Sequence, residues 1–561
     1  MGSAAEDPFI GRPLADVGGA NPLAVVLLVS GSQLPRWQAD ALARLESERT
    51  IRVDGVIAMQ RSAVSMERLC CSLQEAAEYL WRRPSDSIGA PIDARTAFPR
   101  AAEHRKEGSA LSRSASGTDA DLVVNCGVEE SGARGVQGRL GTLSCRFAGT
   151  NTDIGLFRTL IRGDRILCLS VDLLTGDEEV CLERAWPALP DRPVLLDARR
   201  NVCSRAAGML AKAIRKLAKS RRAVAAEALG DDSAPPPPVT ALSAVRYGSR
   251  RAAAILKSRV ARLSGAGRAD ANRNWFLAYR VNPDSFVRNT DRFSGKGYRL
   301  VLPPPGRFYA DPCVIEHEGE DHVFFEEWRD DLKKGVISWM RREGDRLTPP
   351  EQVLEQPYHL SYPFVFRAEG QWFMVPESAA ARRVELYRAA DFPRRWEKIA
   401  VLLDGIAAVD STLFERDGRW WMFANVAEDG SSTCDQLCLF HADRIEGPWR
   451  PHQENPVKID VRSTRPAGPL FRRGAGLIRP SQDCSASYGG ALTLCEVTRL
   501  SATEYAEVEV EKLLPGWLPG NLAFHTLSSS AGLEVIDGKM LSGRKVRFPI
   551  LENPQYAEAP A

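Results

Sequence analysis

In the second half of the chain a glycine recurs ahead of a run of aromatic and aliphatic residues that closes, seven positions later, on a polar side chain. Gly319 leads to Glu326, Gly370 to Glu377, Gly418 to Asn425 and Gly489 to Glu496. The runs EGEDHVFFEE, EGQWFMVPES, DGRWWMFANV and GGALTLCEV each read as a turn feeding a strand, because glycine relieves the turn and β-branched and aromatic residues fit a half-buried pleat. Successive glycines stand 51, 48 and 71 residues apart. That is near the length of a four-stranded blade, with room for an insertion before the last. The repeat predicts an all-β five-bladed propeller over residues 273–545. NWFLAYRV supplies its first strand, and the segment from Asn521 to Met540 is placed to close the ring with it and remove an open edge.

The first half follows another rhythm. Between residues 21 and 200, short apolar runs (NPLAVVLLVSG, IRVDGVIAM, ADLVVNCG, RILCLSVDLL) alternate with stretches of helical period (RWQADALARLESE, SMERLCCSLQEAAEYLWRR). Strands alternating with helices predict an α/β domain on a parallel sheet. The stretch from Pro84 to Thr118, rich in Ser, Arg and Pro, reads as a long surface loop. Residues 201–272 read as a connector: a helical pattern over 203–229, a polyproline break from Pro235 to Pro238, and a second basic helix, VRYGSRRAAAILKSRVARL. Cations far outnumber acids from Arg199 to Arg268. A solvated helical connector explains this; the alternative is a basic face for a phosphate-bearing substrate or a peripheral contact with anionic membrane. Residues 546–561 form a tail.

Composition narrows the partners. A chain of 561 residues is too long for one hydrophobic core and agrees with a multidomain reading. A net charge of +2 gives no whole-chain case for binding nucleic acid. There is no apolar run long enough for a membrane-spanning helix, and the start, MGSAAEDPFIGRPLADVGG, lacks the basic and apolar regions of a signal peptide. A cytoplasmic location is the expectation. Twelve cysteines without CxxC pairs or Cys/His ligand spacing read as reduced, buried thiols. No cofactor or metal site is signalled, although two carboxylates in one funnel would offer a place for a cation.

In a propeller the innermost strand of each blade begins at the central funnel, so residues at those starts converge although far apart in sequence. Counting back eight from the glycines gives Asp311, Tyr362 and Asp410, equivalent by arithmetic. The fourth blade offers Arg479, ten residues before its glycine, and the fifth offers His525. Polar groups recurring at such positions are costly unless solvated or used, which marks a polar site. The second strands add Glu326, Glu377, Asn425 and Glu496 in one register, either facing the funnel or making blade-to-blade contacts. Glu377 stands out because Pro376 and Ser378 frame it as a strand end. Trp372, Trp396, Trp420 and Trp421 are expected to fill space between blades rather than stack on sugars.

HLSYPFVF, VPES, AVDSTLF, DGRWWMFAN, GPWRPH and RPSQDCSASYGGA resemble the β-propeller domain at the N-terminus of plant glucosamine inositolphosphorylceramide transferases and their bacterial relatives, over roughly residues 275–545. More distantly, YADP, VDS and the GPW turn are similar to the propellers of family 43 and family 32 glycoside hydrolases. That resemblance implies a base or nucleophile at Asp311 and a supporting carboxylate at Asp410; Tyr362, Glu326, Arg479, Gln482 and Asp483 are the candidate substrate contacts. The proton-donating Glu of those hydrolases does not transfer, since Arg479 stands at its place and a guanidinium donates no proton at neutral pH. Glu377 or His525 remain to act as acid from another wall.

The front domain resembles the N-terminal domain of the formyltransferase family through VVNCGVEESGARGVQGRLGTLSCRFAGTNTDIGLFRTLIRGDRILCLSVDLLTGDEEV. That family works with an Asn, a His and an Asp. Its His position falls here at Cys145 or Arg146, its Asp position at Leu174 or Thr175 beside Gly176, and the only histidine before residue 300 is His104. The domain therefore reads as degenerate, kept for binding or scaffolding. Three functions follow as expectations. The first is a carbohydrate-active enzyme of surface glycan or glycolipid biosynthesis, transferring or processing a sugar in the funnel and taking a glycan, glycolipid or nucleotide-sugar. The second is a non-catalytic glycan-binding scaffold, and the third a sugar N-formyltransferase-like activity.

Overall fold

The computed structural model describes residues 21–59, 65–82, 91–99, 101–105, 119–129, 133, 135–190, 194–222, 236–263, 274–281, 293, 295, 297–427 and 431–540. They fall into two compact units, one ending at Val260 and the other beginning at Ala261.

The first unit is organised by a sheet of nine strands among the described residues. Leu23–Ser30 lies between two parallel neighbours, Ile51–Met59 and Leu122–Cys126, and Thr142–Phe147 continues parallel to the latter. Flanked on both sides, Leu23–Ser30 carries the near-continuous apolar run that a doubly covered strand needs. Leu169–Thr175 and Glu178–Ala185 then pair antiparallel, so the sheet is mixed rather than wholly parallel. Within the stretch read as a surface loop, Pro91–Asp93 pairs with Gln33–Pro35 and Ala102–Arg105 runs parallel to Ile51–Met59. Ala94–Ala97 forms a short helix there, and residues 84–90, 100 and 106–118 lie outside the described residues.

The helix Leu195–Ser220 passes straight through position 200, and its buried residues include Leu195, Val202, Met209, Ile214 and Leu217. Residues 201–220 are therefore part of this unit's core rather than a solvated connector. Their cations are matched by acids distant in sequence: Arg199 to Asp153 at 2.8 Å, Arg215 to Glu48 at 2.9 Å and Lys216 to Glu183 at 2.6 Å. The second basic helix forms over Ala241–Leu263, with Tyr247 edge-on to Phe157 and Arg251 paired to Glu78 at 2.8 Å. Among the described residues no helix is long and apolar enough to cross a membrane. Residues 223–235, 264–273 and the tail 546–561 lie outside the described set.

The second unit is a ring of five antiparallel sheets. Blade one spans Arg307–Leu354, blade two Ser361–Asp404, blade three Ala407–Ile459 and blade four Arg465–Leu513. Blade five joins the two ends of the unit: Trp275–Val281 pairs along its whole length with Leu533–Met540, from Trp275 opposite Lys539 to Val281 opposite Leu533. The predicted closure of the ring is thus observed. Five hydrophobic clusters fill the five seams, as a ring requires. Met374 and Ile337 meet between blades one and two, Phe373 and Met422 between two and three, and Phe423 and Tyr505 between three and four. Leu492 and Ile536 join four to five, and Tyr279 and Phe325 join five to one. Trp396 and Trp421 are buried in these seams, and Trp372 stacks on Phe392 at 4.8 Å. Each such side chain contributes about 1.5–3 kcal/mol on burial. All twelve cysteines are free.

Candidate functional site

The arithmetic of the glycine repeat has a physical basis in the strand ladders. In blade one Ala310 pairs with Glu326 and Cys313 with Phe324, so Asp311 and Pro312 together oppose one residue. Blade two repeats this between Ser361 and Phe364, and blade three between Val409 and Thr412. Each is a β-bulge, and its first residue is left-handed: Asp311 at φ 53°, Tyr362 at 42° and Asp410 at 54°. None is glycine, so the backbone carries strain of order 1–3 kcal/mol at each. Three copies of one strained device, each aiming a polar side chain, set this end of the ring apart. Glu326, Glu377 and Asn425 pair with the residue before each bulge, Ala310, Ser361 and Val409, which confirms their common register.

Blade four breaks the pattern. Ile478 through Asp483 pair without a shift, so Arg479 sits on a regular strand. Its guanidinium turns into the blade, donating to Glu507 at 2.8 and 2.7 Å and to the Ser463 carbonyl at 2.5 Å. Lys458 joins the same carboxylate at 2.8 Å, and these cations hold Glu507 well below the usual carboxylate range against the cost of its burial. Asp483 is likewise engaged locally, with Lys512 and with the Ser485 amide at 2.8 Å. The expected substrate contacts at Arg479 and Asp483 are thus corrected to internal ion pairs of blade four. Gln482, between them, does reach the centre, donating to Asp410 Oδ2 at 3.1 Å.

The cation at the centre is Arg465. It lies on a two-residue strand, Arg465–Pro466, laid against Gln482 and Ser481, and its Nε donates to Asp410 Oδ2 at 2.6 Å. Its Nη2 stands 3.8 Å from Glu377 Oε2, and its guanidinium covers the Tyr488 ring at 4.9 Å. Tyr362 links the wall together, its hydroxyl 2.8 Å from Thr412 and accepting from the Gly468 amide at 2.7 Å.

Opposite stands a second group built from the closing blade. Thr526 donates to Asp311 Oδ1 at 3.0 Å, and His525 Nε2 lies 3.7 Å from the same oxygen. His525 Nδ1 is 2.5 Å from Asp537 Oδ2, and the imidazole stacks on Trp275 with 3.9 Å between centroids. Asp537 and Asp311 raise the His525 pKa in spite of the burial that opposes it. Asp311, His525 and Asp537 offer ligand atoms within 4.8 Å of one another. The same three groups, with Asp537 already accepting three backbone amides, also form an acid–base array.

Four carboxyls besides Asp537 share this centre, and their environments separate them. Burial, reinforced by Asp410 and Asp537 and opposed by His525, pushes Asp311 up to about 6. Burial and the neighbouring Asp410 raise Glu377 well above the carboxylate range, and burial with Asp311 and Glu377 does the same for Glu326. Glu326 faces His359 Nε2 at 3.5 Å; the Gly335 amide donates to His359 Nδ1 at 2.8 Å, which fixes the proton on Nε2. Glu377 is the most accessible of the four, its side chain 13% exposed against 7% for Asp311 and Glu326 and 1% for Asp410. The arrangement therefore pairs a carboxyl that ionises near neutrality with one that holds its proton more tightly than an ordinary carboxyl, the combination that acid–base chemistry needs.

The sequence expectation placed Asp311, Asp410, Tyr362, Glu326, Glu377, His525 and Gln482 together, and the structure does so. Arg465, Asp537, Thr526, Tyr488 and Trp275 were missed. Arg465 lies on a strand too short to show periodicity, and Asp537 sits on the last strand, outside the glycine count. In the first unit, Cys145 is buried and Arg146 is held by Glu179 at 2.5 Å and Asp172 at 3.7 Å. Thr175 donates to the Leu140 carbonyl at 3.0 Å, and His104 lies in the strand Ala102–Arg105.

Residues 302–526 match the family model of the N-terminal domain of glucosamine inositolphosphorylceramide transferase 1. Over 211 residues the chain is 35% identical to glucosamine inositolphosphorylceramide transferase 1 of Oryza sativa subsp. japonica and 33% identical to that of Arabidopsis thaliana. These alignments cover 37% of this chain, which spans only 28% of the length of each relative. Among solved structures, the RS223 β-xylosidase is similar at a TM-score of 0.31 and 13% identity, over 42% of this chain and 96% of that one. The Bombyx mori GH32 β-fructofuranosidase BmSUC1 is similar at 0.31 and 15% identity, over 38% of this chain and 53% of that one.

Proposed function

We propose that the propeller is a carbohydrate-active enzyme domain that acts at a glycosidic bond of a glycan or glycolipid. Asp311 is the base or nucleophile, Glu377 the proton donor, and Asp410 with Arg465 the fixed charge pair that tunes them. The observation that carries this reading is the pairing of Asp311, poised near 6, with a more accessible Glu377 raised above the ordinary carboxylate range in one buried site. In such a reaction Glu377 gives its proton to the leaving oxygen while Asp311, or a water that it deprotonates, attacks the anomeric carbon. The left-handed bulge holds Asp311 in place before substrate arrives, so orientation costs nothing at the reacting step. The names of the relatives add a sugar-transfer context, with an amino sugar and an inositolphosphorylceramide as the first donor and acceptor classes to try.

The scaffold reading has one observation behind it. Asp410 is fully engaged by Arg465 and Gln482, as a carboxylate kept for structure would be. One experiment separates the two. Wild type and Asp311→Asn are screened for binding and turnover with aryl glycosides, UDP-N-acetylglucosamine and inositolphosphorylceramide. Turnover that falls at least about 100-fold in the variant while binding persists supports the enzyme. Binding without wild-type turnover leaves a glycan-binding scaffold. For the first unit we propose a binding or scaffolding role, since Arg146 at the formyltransferase histidine position is spent on Asp172 and Glu179 and supplies no general base.

A further inference from the structure

Asp537 is 0% exposed and belongs to the strand Leu533–Met540, yet the bonds of its carboxylate lead to the site. Its Oδ1 accepts the backbone amides of His525 at 2.9 Å and Thr526 at 3.0 Å. Its Oδ2 accepts the Asp311 amide at 3.2 Å and takes the His525 Nδ1 proton across 2.5 Å. Four donors converge on one carboxylate. A buried carboxylate is stable only when so satisfied, and the donors are in turn held by it.

We propose that Asp537 is the positioning residue of the propeller site: it pins Asp311 in its left-handed conformation through the main chain and holds the His525 ring with Nε2 toward the Asp311 carboxylate. The proposal rests on reading Asp311 as the reacting carboxylate. Two consequences follow from the bonding. At Asp311, whose φ is 53°, the amide left unpaired in the ladder by the bulge finds Asp537 instead. The imidazole stacks on Trp275 and lies edge-on to Tyr488 at 5.5 Å, which fixes the plane of the ring. The charged and titratable groups facing His525 are Asp537, Asp311 and, farther off, Asp410, with Tyr488 beside the ring and Lys539 on the Trp275 ring at 5.5 Å.

Asp537→Asn keeps the shape but not the pairing. One amide oxygen still accepts His525 and Thr526, while the amide NH2 meets two donors, the Asp311 amide and His525 Nδ1. The test is nitrogen-15 histidine NMR on the full chain, with the His525 signal assigned by its loss in His525→Gln. In wild type the ring is expected to stay doubly protonated above the ordinary histidine range, with a far-downfield Nδ1 proton. In Asp537→Asn its titration is expected to move down by about one pH unit or more, and the downfield proton to vanish. Thr526→Val removes a bond to Asp311 and a 3.3 Å contact with His525 Nδ1, and a downfield proton that survives in it shows that Asp537 rather than Thr526 holds the ring. A wild-type His525 that is neutral with a bare Nδ1 at pH 6 overturns the proposal even if the variant fails to fold, as does an unchanged titration in Asp537→Asn. The histidine readout needs no substrate, so absence of turnover in wild type overturns the enzyme reading alone.

Discussion

Arg465 Nε lies 2.6 Å from Asp410 Oδ2, joining a two-residue strand of blade four to the strained bulge of blade three. The pair is almost wholly enclosed, with side-chain exposures of 8% and 1%. Arg465→Met leaves Asp410 charged and buried without its cation, a change that costs about 3–5 kcal/mol. Urea denaturation should show that loss, and Arg465→Met combined with Asp410→Asn should recover a good part of it. If the double variant is no more stable than the single one, the charge pair is not what holds this wall.

Arg479 tests the correction to the sequence reading. Its partner is Glu507 inside blade four, so Arg479→Met is expected to lower stability by about 3–5 kcal/mol and to leave ligand affinity of the folded protein unchanged. Arg465→Met changes both. Equilibrium binding measured well below each variant's melting temperature checks the contrast, and a selective loss of affinity in Arg479→Met would return that residue to the site.

The pH dependence has a defined sign. Asp311 is raised from 3.8 to about 6, so its protonation adds stability below 3.8, and that contribution is lost as pH rises through about 6. Turnover by the proposed route needs Asp311 ionised and Glu377 protonated, so it rises over the same interval and falls only where Glu377 loses its proton, above the ordinary carboxylate range. Stability of wild type relative to Asp311→Asn should therefore decline between about pH 4 and pH 7 while activity climbs. A flat difference across that range rules out the raised carboxyl. Glu507, depressed by Arg479 and Lys458, works the other way: its contribution is present at neutral pH and lost as pH falls below the ordinary range.

Gly489 combines a φ of +60° with a position where an added Cβ comes within 2.7 Å of His525 Cβ. Gly489→Ala should displace the imidazole from Trp275 and reduce turnover at least about tenfold, with a stability loss of about 1 kcal/mol or more from the backbone strain. Near-wild-type activity in this variant would show that the placement of His525 is not needed.

The legible parts of the sequence were those written in period. Glycine spacing located the hairpins of blades one to four, and counting back from it found Asp311, Tyr362 and Asp410, since the same bulge recurs at the same distance from the same turn. In blade four the bulge is absent and a short extra strand intrudes, so the count arrived at Arg479 while the working guanidinium came from Arg465. A strand of two residues has no alternation to read. The helix Leu195–Ser220 was misjudged for a different reason: Arg199, Arg215 and Lys216 suggest a solvated face, and only the fold brings Asp153, Glu48 and Glu183 to meet them.

The seam of blade five, where Trp275–Val281 meets Leu533–Met540, also sets the order in which the site comes into being. A ribosome delivers Asp311 first, and Asp537, which holds its amide, follows 226 residues later. Until that last strand emerges, the nascent chain carries its carboxyls without the wall that orients them. Emergence of Leu533–Met540 and closure of the ring are therefore one event, and a propeller truncated before Leu533 is left open, with the Asp311 amide deprived of its Asp537 partner.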